Sequence, residues 1–437
     1  MEKRSIAIIL ALSLLFSACI LLLNIKSEKV PLQSETTCLE TTIPQKETLN
    51  YSALNYSTVK AIWISQFDMS EVYIKGGKQR PIKDYTEKVS KIVENISSLG
   101  INTVFFQLRP NGDSLYPSRL FPASKYALGS YGGELDYDPF KIFLDIAHKF
   151  SISVHAWINP LRCMREDELS LISNSYTIKK WYNADNNFIS IVDGVCYLNP
   201  AYNETRELIC QGISEILQKY DVDGVHIDDY FYPTTDESFD LEAYRDYAKA
   251  KETLSLSEFR RDQIDTLVRG IYSTVKNYNY TVLFGISPGG NNDRNYNELY
   301  ANVYKWCSED NYIDYICPQI YFGFEHQTHS FDKICDEFCN IIKSKSVKLI
   351  IGVTLGKAYS GYNGEGDNWA GTGKNEWIEN RDILRRSIEY LSSKEKCEGV
   401  AFFSYRYFFD PLTSVPIPET AEEINEFLPI LKEYRSV

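Results

Sequence analysis

The sequence is poor in histidine and has no CxxC pair, no P-loop and no dinucleotide-binding fingerprint. Its five histidines (148, 155, 226, 326 and 329) form no ligand-spaced set with the cysteines, so no metal centre is expected. His326 and His329 could share a helix start, which alone is a weak signal. Pro288-Gly289-Gly290 and Gly371-Thr372-Gly373-Lys374 lack the strand–helix setting of a phosphate cradle, and no cofactor is expected. No GxSxG elbow supports a serine hydrolase. Positive charge is also short. With 46 Lys+Arg against 59 Asp+Glu, the formal net charge is −13, which argues against nucleic acid as a partner because phosphate binding needs a basic surface.

What is present is an ordinary globular composition, 44% apolar and 24% charged over 437 residues, which excludes collagenous, coiled-coil and wholly disordered chains. One α/β barrel can occupy nearly all of that length. Aromatics are abundant at 14%, mostly as 32 Tyr and 22 Phe. Most of these rings should be core, and the remainder suit flat, uncharged ligands such as sugars. The ten cysteines are expected to be buried free thiols, although disulfides are permitted outside the cell. Cys335 and Cys339 have the i,i+4 spacing of one helix face.

At the N-terminus, Lys3 and Arg4 precede an 18-residue apolar run, Ile6 to Leu23, broken only by Ser13 and Ser17. Its length and flanking charge read first as an uncleaved signal anchor over 1–25, with the rest of the chain outside the cytoplasmic membrane. Phe16-Ser17-Ala18-Cys19 resembles a bacterial lipobox, and ordinary signal cleavage is the third reading. All three export the chain. Residues 26–57 read as a polar, disordered tether.

From residue 58 the pattern alternates regularly. Apolar, β-branched runs at 60–66, 101–107, 152–158, 222–227, 281–287, 313–320, 347–354 and 398–404 read as buried parallel strands. Helix-period segments lie near 84–98, 138–150, 202–219, 258–278, 296–309, 330–344, 379–393 and 419–433. Eight such repeats predict a (β/α)8 TIM barrel over 58–437, acting as a monomer. The long strand-to-helix loops, 108–137, 159–201, 228–257 and 355–378, place the working cleft at the C-terminal strand ends.

The fourth strand ends Gly224-Val225-His226-Ile227-Asp228-Asp229-Tyr230-Phe231-Tyr232-Pro233. Alternation puts Asp228 on the face of Gly224 and His226, directed into the barrel mouth, with Asp229 at the rim. Adjacent carboxylates followed by aromatics suit glycoside hydrolysis, in which one carboxyl donates a proton and another attacks or stabilises the anomeric carbon. Asp113 is the second-strand candidate for a partner carboxylate, with Arg109 as its hydrogen-bonding partner and as one of the groups expected to orient the sugar. The other strand ends offer Trp157, Asn159, Gln319 and Tyr321 to orient or stack on a sugar, with Tyr230 and Tyr232 beside the carboxylates.

FFQLRPNGDSLYPS (105–118), HAWINPLR (155–162), YLNP (197–200), YDVDGVHIDDYFYP (220–233), FRRD (259–262), FGISP (284–288), YIDYICPQIY (312–321) and GVAFFS (399–404) together resemble the glycosyl-hydrolase-like family 10, a bacterial exported barrel family. That resemblance implies a TIM-barrel glycosidase acting on cell-wall glycans, with peptide-free peptidoglycan strands as substrate. It points to Asp113, Asn159, Asn199, Asp228, Asp229, Gln319 and Tyr321. The fourth strand also looks like the chitinase signature DGxDxDxE, but His226 replaces one Asp and Tyr230 stands where the proton-donating Glu would be. A non-catalytic cell-wall glycan-binding protein on the same barrel is the alternative.

Overall fold

The computed structural model describes residues 51–250 and 254–435. Among them, eight parallel strands close a barrel in sequential order. They are β1 (Val59–Ile64), β2 (Thr103–Arg109), β3 (Ser153–Ile158), β4 (Gly224–Ile227), β5 (Leu283–Ile286), β6 (Tyr315–Ile316), β7 (Lys348–Thr354) and β8 (Cys397–Phe403). Every strand falls within or beside an apolar run that the sequence marks. The reason is burial on both faces, one toward the barrel axis and one toward the helices, which demands continuous apolar segments.

The helical layer comprises α1 (Ile82–Ser98), α2 (Pro139–Lys149), α3 (Asn203–Lys219), α4 (Leu256–Tyr278), α5 (Asn292–Asn297), α6 (Val303–Ser308), α7 (Phe331–Ile341), α8 (Ile383–Ser392) and α9 (Ala421–Glu433). Local chemistry starts several of them. Asp138 caps α2 with Pro139 in its first turn, and Ser255 with Glu258 forms a capping box on α4. The helix expected over 296–309 is instead split into α5 and α6. Tyr300, between them, takes a left-handed backbone (φ 54°), and its hydroxyl accepts from the buried Arg260 at 3.0 Å.

The barrel axis is filled with rings. Phe105 stacks on His226 with centroids 4.2 Å apart, and Trp63, His155 and Tyr315 complete the layer. Gly285 and Gly224 create the space: a Cβ would lie 2.2 Å from the Tyr315 ring at the first and 2.5 Å from the His155 ring at the second. Polar atoms in this layer form one chain. Trp63 Nε1, which can only donate, gives its proton to His226 Nε2 at 3.2 Å. His226 Nδ1 therefore carries a hydrogen and donates to Tyr315 Oη at 2.9 Å, and that hydroxyl donates to His155 Nδ1 at 2.8 Å. Burial lowers both imidazoles, His155 to about 4 and His226 well below its usual value, so both are neutral.

Residues 51–55, the end of the stretch read as tether, are docked on the barrel. Leu54 N–H donates to Asp223 at 2.6 Å, the Tyr51 hydroxyl binds the same carboxylate, and Ala53 N–H and the Asn55 side chain bond Thr281. The expected anchor over 1–25 and the tether as far as residue 50 lie outside the described residues. Among the described residues no helix is long and apolar enough to cross a membrane.

Candidate active site

A cleft of about 200 Å³ opens at the C-terminal ends of the strands. Asp228 and Asp229, the two residues that follow the end of β4, face into it. Asp228 is buried at 3% exposure, while Asp229 stands half-buried at the rim. Period-2 alternation along β4 directs Asp228 inward, as His226 is. Trp157 Nε1 donates to Asp228 Oδ2 at 3.0 Å, and Tyr230 N–H donates to Oδ1 at 3.2 Å. Asp229 Oδ1 accepts from Gln319 Nε2 at 3.3 Å, whose other hydrogen goes to the Ser287 carbonyl at 3.1 Å.

Electrostatics separates this pair from ordinary carboxylates. Burial, and then the charge of Asp229, push Asp228 well above the usual range; the two N–H donors oppose that rise. Burial also raises Asp229, which its hydrogen bonds and the Arg294 charge pull back. Two adjacent carboxyls of this kind titrate as a pair that retains a proton to higher pH than an exposed Asp.

The walls hold amides and rings. Gln107 Nε2 donates to Asn159 Oδ1 at 3.0 Å, and Gln107 Oε1 accepts from Gln66 N–H at 2.8 Å, so the two amides fix one another. Tyr230 is 45% exposed, and the Arg162 guanidinium lies 5.4 Å over its ring. Tyr321 packs against Phe403 with centroids 5.9 Å apart. Asp228, Asp229, Trp157, Asn159, Tyr230, Gln319 and Tyr321, all marked from the sequence, thus line one cleft.

Four marked residues do not. The β2–β3 register slips between Gln107 and Arg109, and that irregularity breaks the alternation. Arg109 is consequently turned into the layer between barrel and helices, with its guanidinium carbon 3.7 Å over Phe121 and against Gly212 of α3. Asp113 is fully buried within the loop after β2, accepting from Asn111 N–H at 2.9 Å and the Tyr131 hydroxyl at 3.0 Å. It makes no ion pair with Arg109 and organises the loop instead. Tyr232 is 1% exposed and donates to Asp240 at 3.0 Å, because the chain reverses after Asp229 and turns this ring inward. Asn199 Nδ2 donates to the Phe239 carbonyl at 3.0 Å, in the wall of a separate, open depression of about 510 Å³.

Trp63, Gln66, Phe67, Gln107, Asn111, Tyr126, Arg162 and Phe403 also line the cleft and were not marked. Gln107 was legible: it is the last inward position of β2 before the irregularity. Gln66 stands two residues beyond β1, on a short helix, Gln66–Tyr73, that the apolar pattern conceals. Contrary to the sequence reading, one GxSxG is present, Gly285-Ile286-Ser287-Pro288-Gly289, yet Ser287 is buried and its Oγ bonds no histidine or other partner among the described residues. That hydroxyl has no base to activate it.

The glycosyl hydrolase-like 10 family matches residues 58–370. The chain is 32% identical over 316 residues to Glycosyl hydrolase YngK of Bacillus subtilis, covering 67% of this chain and 60% of that protein. It is 28% identical over 442 residues to Glycosyl hydrolase DigH of Escherichia coli K12, covering 94% of each. It therefore spans less than two thirds of YngK's length but nearly all of DigH's. Among solved structures, the catalytic domain of β-amylase from Paenibacillus polymyxa superposes with a TM-score of 0.53 at 8% identity, covering 86% of this chain and 99% of that one. At that identity the likeness concerns the fold, a TIM barrel. The family match over 58–370, on a chain whose eight strands close a barrel in sequential order, makes this chain a member of the glycosyl hydrolase-like 10 family.

Proposed function

We propose that the protein is a glycoside hydrolase that cleaves O-glycosidic bonds in peptidoglycan glycan strands or a related cell-wall polysaccharide. The observation that carries this reading is the Asp228–Asp229 pair, both raised by burial and Asp228 also by the charge of Asp229, in a cleft walled by amides and aromatic rings. Such a pair meets the two needs of glycoside hydrolysis, a proton for the leaving oxygen and a negative charge beside the anomeric carbon. Asp228, the more strongly raised, holds its proton longest and acts as the donor. Asp229, favoured in its ionised form by Gln319 and Arg294, faces the anomeric carbon or the water that attacks it. Asn159, Gln107 and Gln319 bond sugar hydroxyls, and Tyr230 and Tyr321 supply apolar faces. Relatives named as glycosyl hydrolases support the same reaction class. The apolar run at 6–23 supports a site outside the cytoplasmic membrane.

Peptide-free and peptide-bearing peptidoglycan incubated with the protein should differ, with new reducing ends released from the peptide-free strands and identified by mass spectrometry. Asp228→Asn should bind the strands and release none. If that variant folds and cleaves at the wild-type rate, the assignment is wrong. Tyr230, which stands where a chitinase-like order would place the proton donor, favours the second reading, a non-catalytic glycan-binding protein. Retention of the wild-type protein on purified glycan, with no product at any pH, would establish that reading instead.

A further inference from the structure

Three cysteines separated in sequence meet at the barrel end opposite the cleft. Cys335 and Cys339 lie one turn apart on α7, and Cys397 is the first residue of β8. Cys335 Sγ and Cys339 Sγ each lie 3.9 Å from Cys397 Sγ, and all three sulfurs are within 4.8 Å of one another. No other group of three His, Cys, Asp or Glu ligand atoms among the described residues meets this spacing. All three are free thiols.

The spacing is informative. A disulfide needs sulfurs about 2.05 Å apart. Ligands at the zinc–sulfur length of about 2.3 Å are separated by about 3.8 Å in a tetrahedron and about 4.0 Å in a trigonal plane. The two separations to Cys397 Sγ, 3.9 Å each, fall between those two values. Cys335 and Cys397 are buried, while Cys339 is partly exposed and gives an entry path. Two cations stand near the sulfurs, Lys394 beside Cys339 and Arg435 beside Cys397, with Asp336 opposing the first. Lys396 Nζ donates to the Cys339 carbonyl at 2.7 Å and to that of Ile342 at 3.1 Å, which holds the end of α7. Tyr434 donates to the Cys397 carbonyl at 3.3 Å, fixing the strand end.

We propose that Cys335, Cys339 and Cys397 form a three-thiolate site for one soft d10 metal ion, zinc(II) or copper(I). Soft thiolate sets select these ions. Such an ion would fasten α7 to the start of β8, remote from the cleft, and would act on stability and not on glycan cleavage.

The full-length protein, purified reduced and metal-free, is titrated with cadmium(II) as an optical probe. The expected result is one equivalent of sulfur-to-cadmium charge-transfer absorbance, and a rise in Tm of roughly 3 °C or more under zinc(II) or copper(I). Displacement of cadmium by zinc(II) or by copper(I) then identifies the ion. Cys339→Ser and the Cys335→Ser/Cys339→Ser/Cys397→Ser variant should lose the band. Should the triple variant fail to fold, alkylation of wild-type protein read by mass spectrometry replaces it, with metal protecting these three thiols selectively. The proposal is overturned by no saturable one-equivalent band, by a band that survives the substitutions, or by two of the three thiols closing into a disulfide in metal-free protein under air.

Discussion

Asp223 and Asp228 flank the same four-residue strand, β4, and both are buried, yet their surroundings are opposite. Asp223 is surrounded by donors: Leu54 N–H at 2.6 Å, Val154 N–H at 2.7 Å, His148 Nε2 at 3.0 Å and the Tyr51 hydroxyl. Asp228 receives two N–H donors, and its nearest charged neighbour is another carboxylate. A fully satisfied buried carboxylate fastens chain segments together, here residues 51–54, β3 and α2 to the barrel's N-terminal end. A buried carboxylate set against a like charge is costly to the fold, and such an arrangement is typical of reactive sites. The barrel thus holds a fastening carboxylate at one end of β4 and the proposed catalytic pair at the other.

The sharpest way to break that contrast is substitution at its two ends. Asp228→Asn should lower kcat/KM on glycan strands by at least about 10³-fold, roughly 4 kcal/mol of transition-state stabilisation. Its Tm should be unchanged or higher, because a charge repulsion has been removed. Asp223→Asn should do the reverse. It places an amide NH2 among donors and should cost about 2–3 kcal/mol of stability, read by denaturant unfolding, with kcat per folded molecule retained. If Asp223→Asn abolished cleavage in folded protein, the division between the two ends would collapse.

Trp157→Phe tests a smaller term. It removes the indole donor from Asp228 Oδ2 while keeping an apolar ring, so kcat should fall about tenfold with KM little changed. Loss of a donor to the ionised form also raises Asp228 further, so the pH–rate limb governed by that group should move to higher pH.

The smallest effect is on stability against pH. The folded-state pKa values of Asp228 and Asp229 lie above those of the unfolded chain, so the native state binds more protons in the window between them. By linkage, their contribution to stability is present below the ordinary carboxylate pKa of about 3.9 and is lost as pH rises through the raised values. Wild type should therefore lose Tm relative to Asp228→Asn between acidic and neutral pH, by differential scanning calorimetry. A constant difference across that range would contradict the raised pair.

The division between legible and hidden features follows from the range of the interactions involved. The eight strands, the barrel and the inward aim of Asp228 were all readable, because each follows from a period-2 or period-3.6 pattern within one segment. So were Trp157, Asn159, Gln319 and Tyr321, which end strands or follow them closely. Arg109 was misplaced by the slip at the end of β2, which reverses facing within two residues and leaves no mark in composition. Asp113, Asn199 and Tyr232 sit in long loops, where no periodicity fixes direction, and each turned out to be a hydrogen-bonded support for its loop.

The sequence by itself determined the element order, the fold class and which end of the barrel carries the cleft, since alternating patterns and loop lengths are local properties of the chain. Tertiary structure alone decided which polar residues share a cavity. It also decided that Asp223 is surrounded by donors while Asp228 faces a like charge, and that Cys397 meets the Cys335–Cys339 pair across more than fifty intervening residues. Those outcomes depend on closure of the barrel, which brings distant strand ends within hydrogen-bond and van der Waals range and removes the water that would otherwise screen their charges.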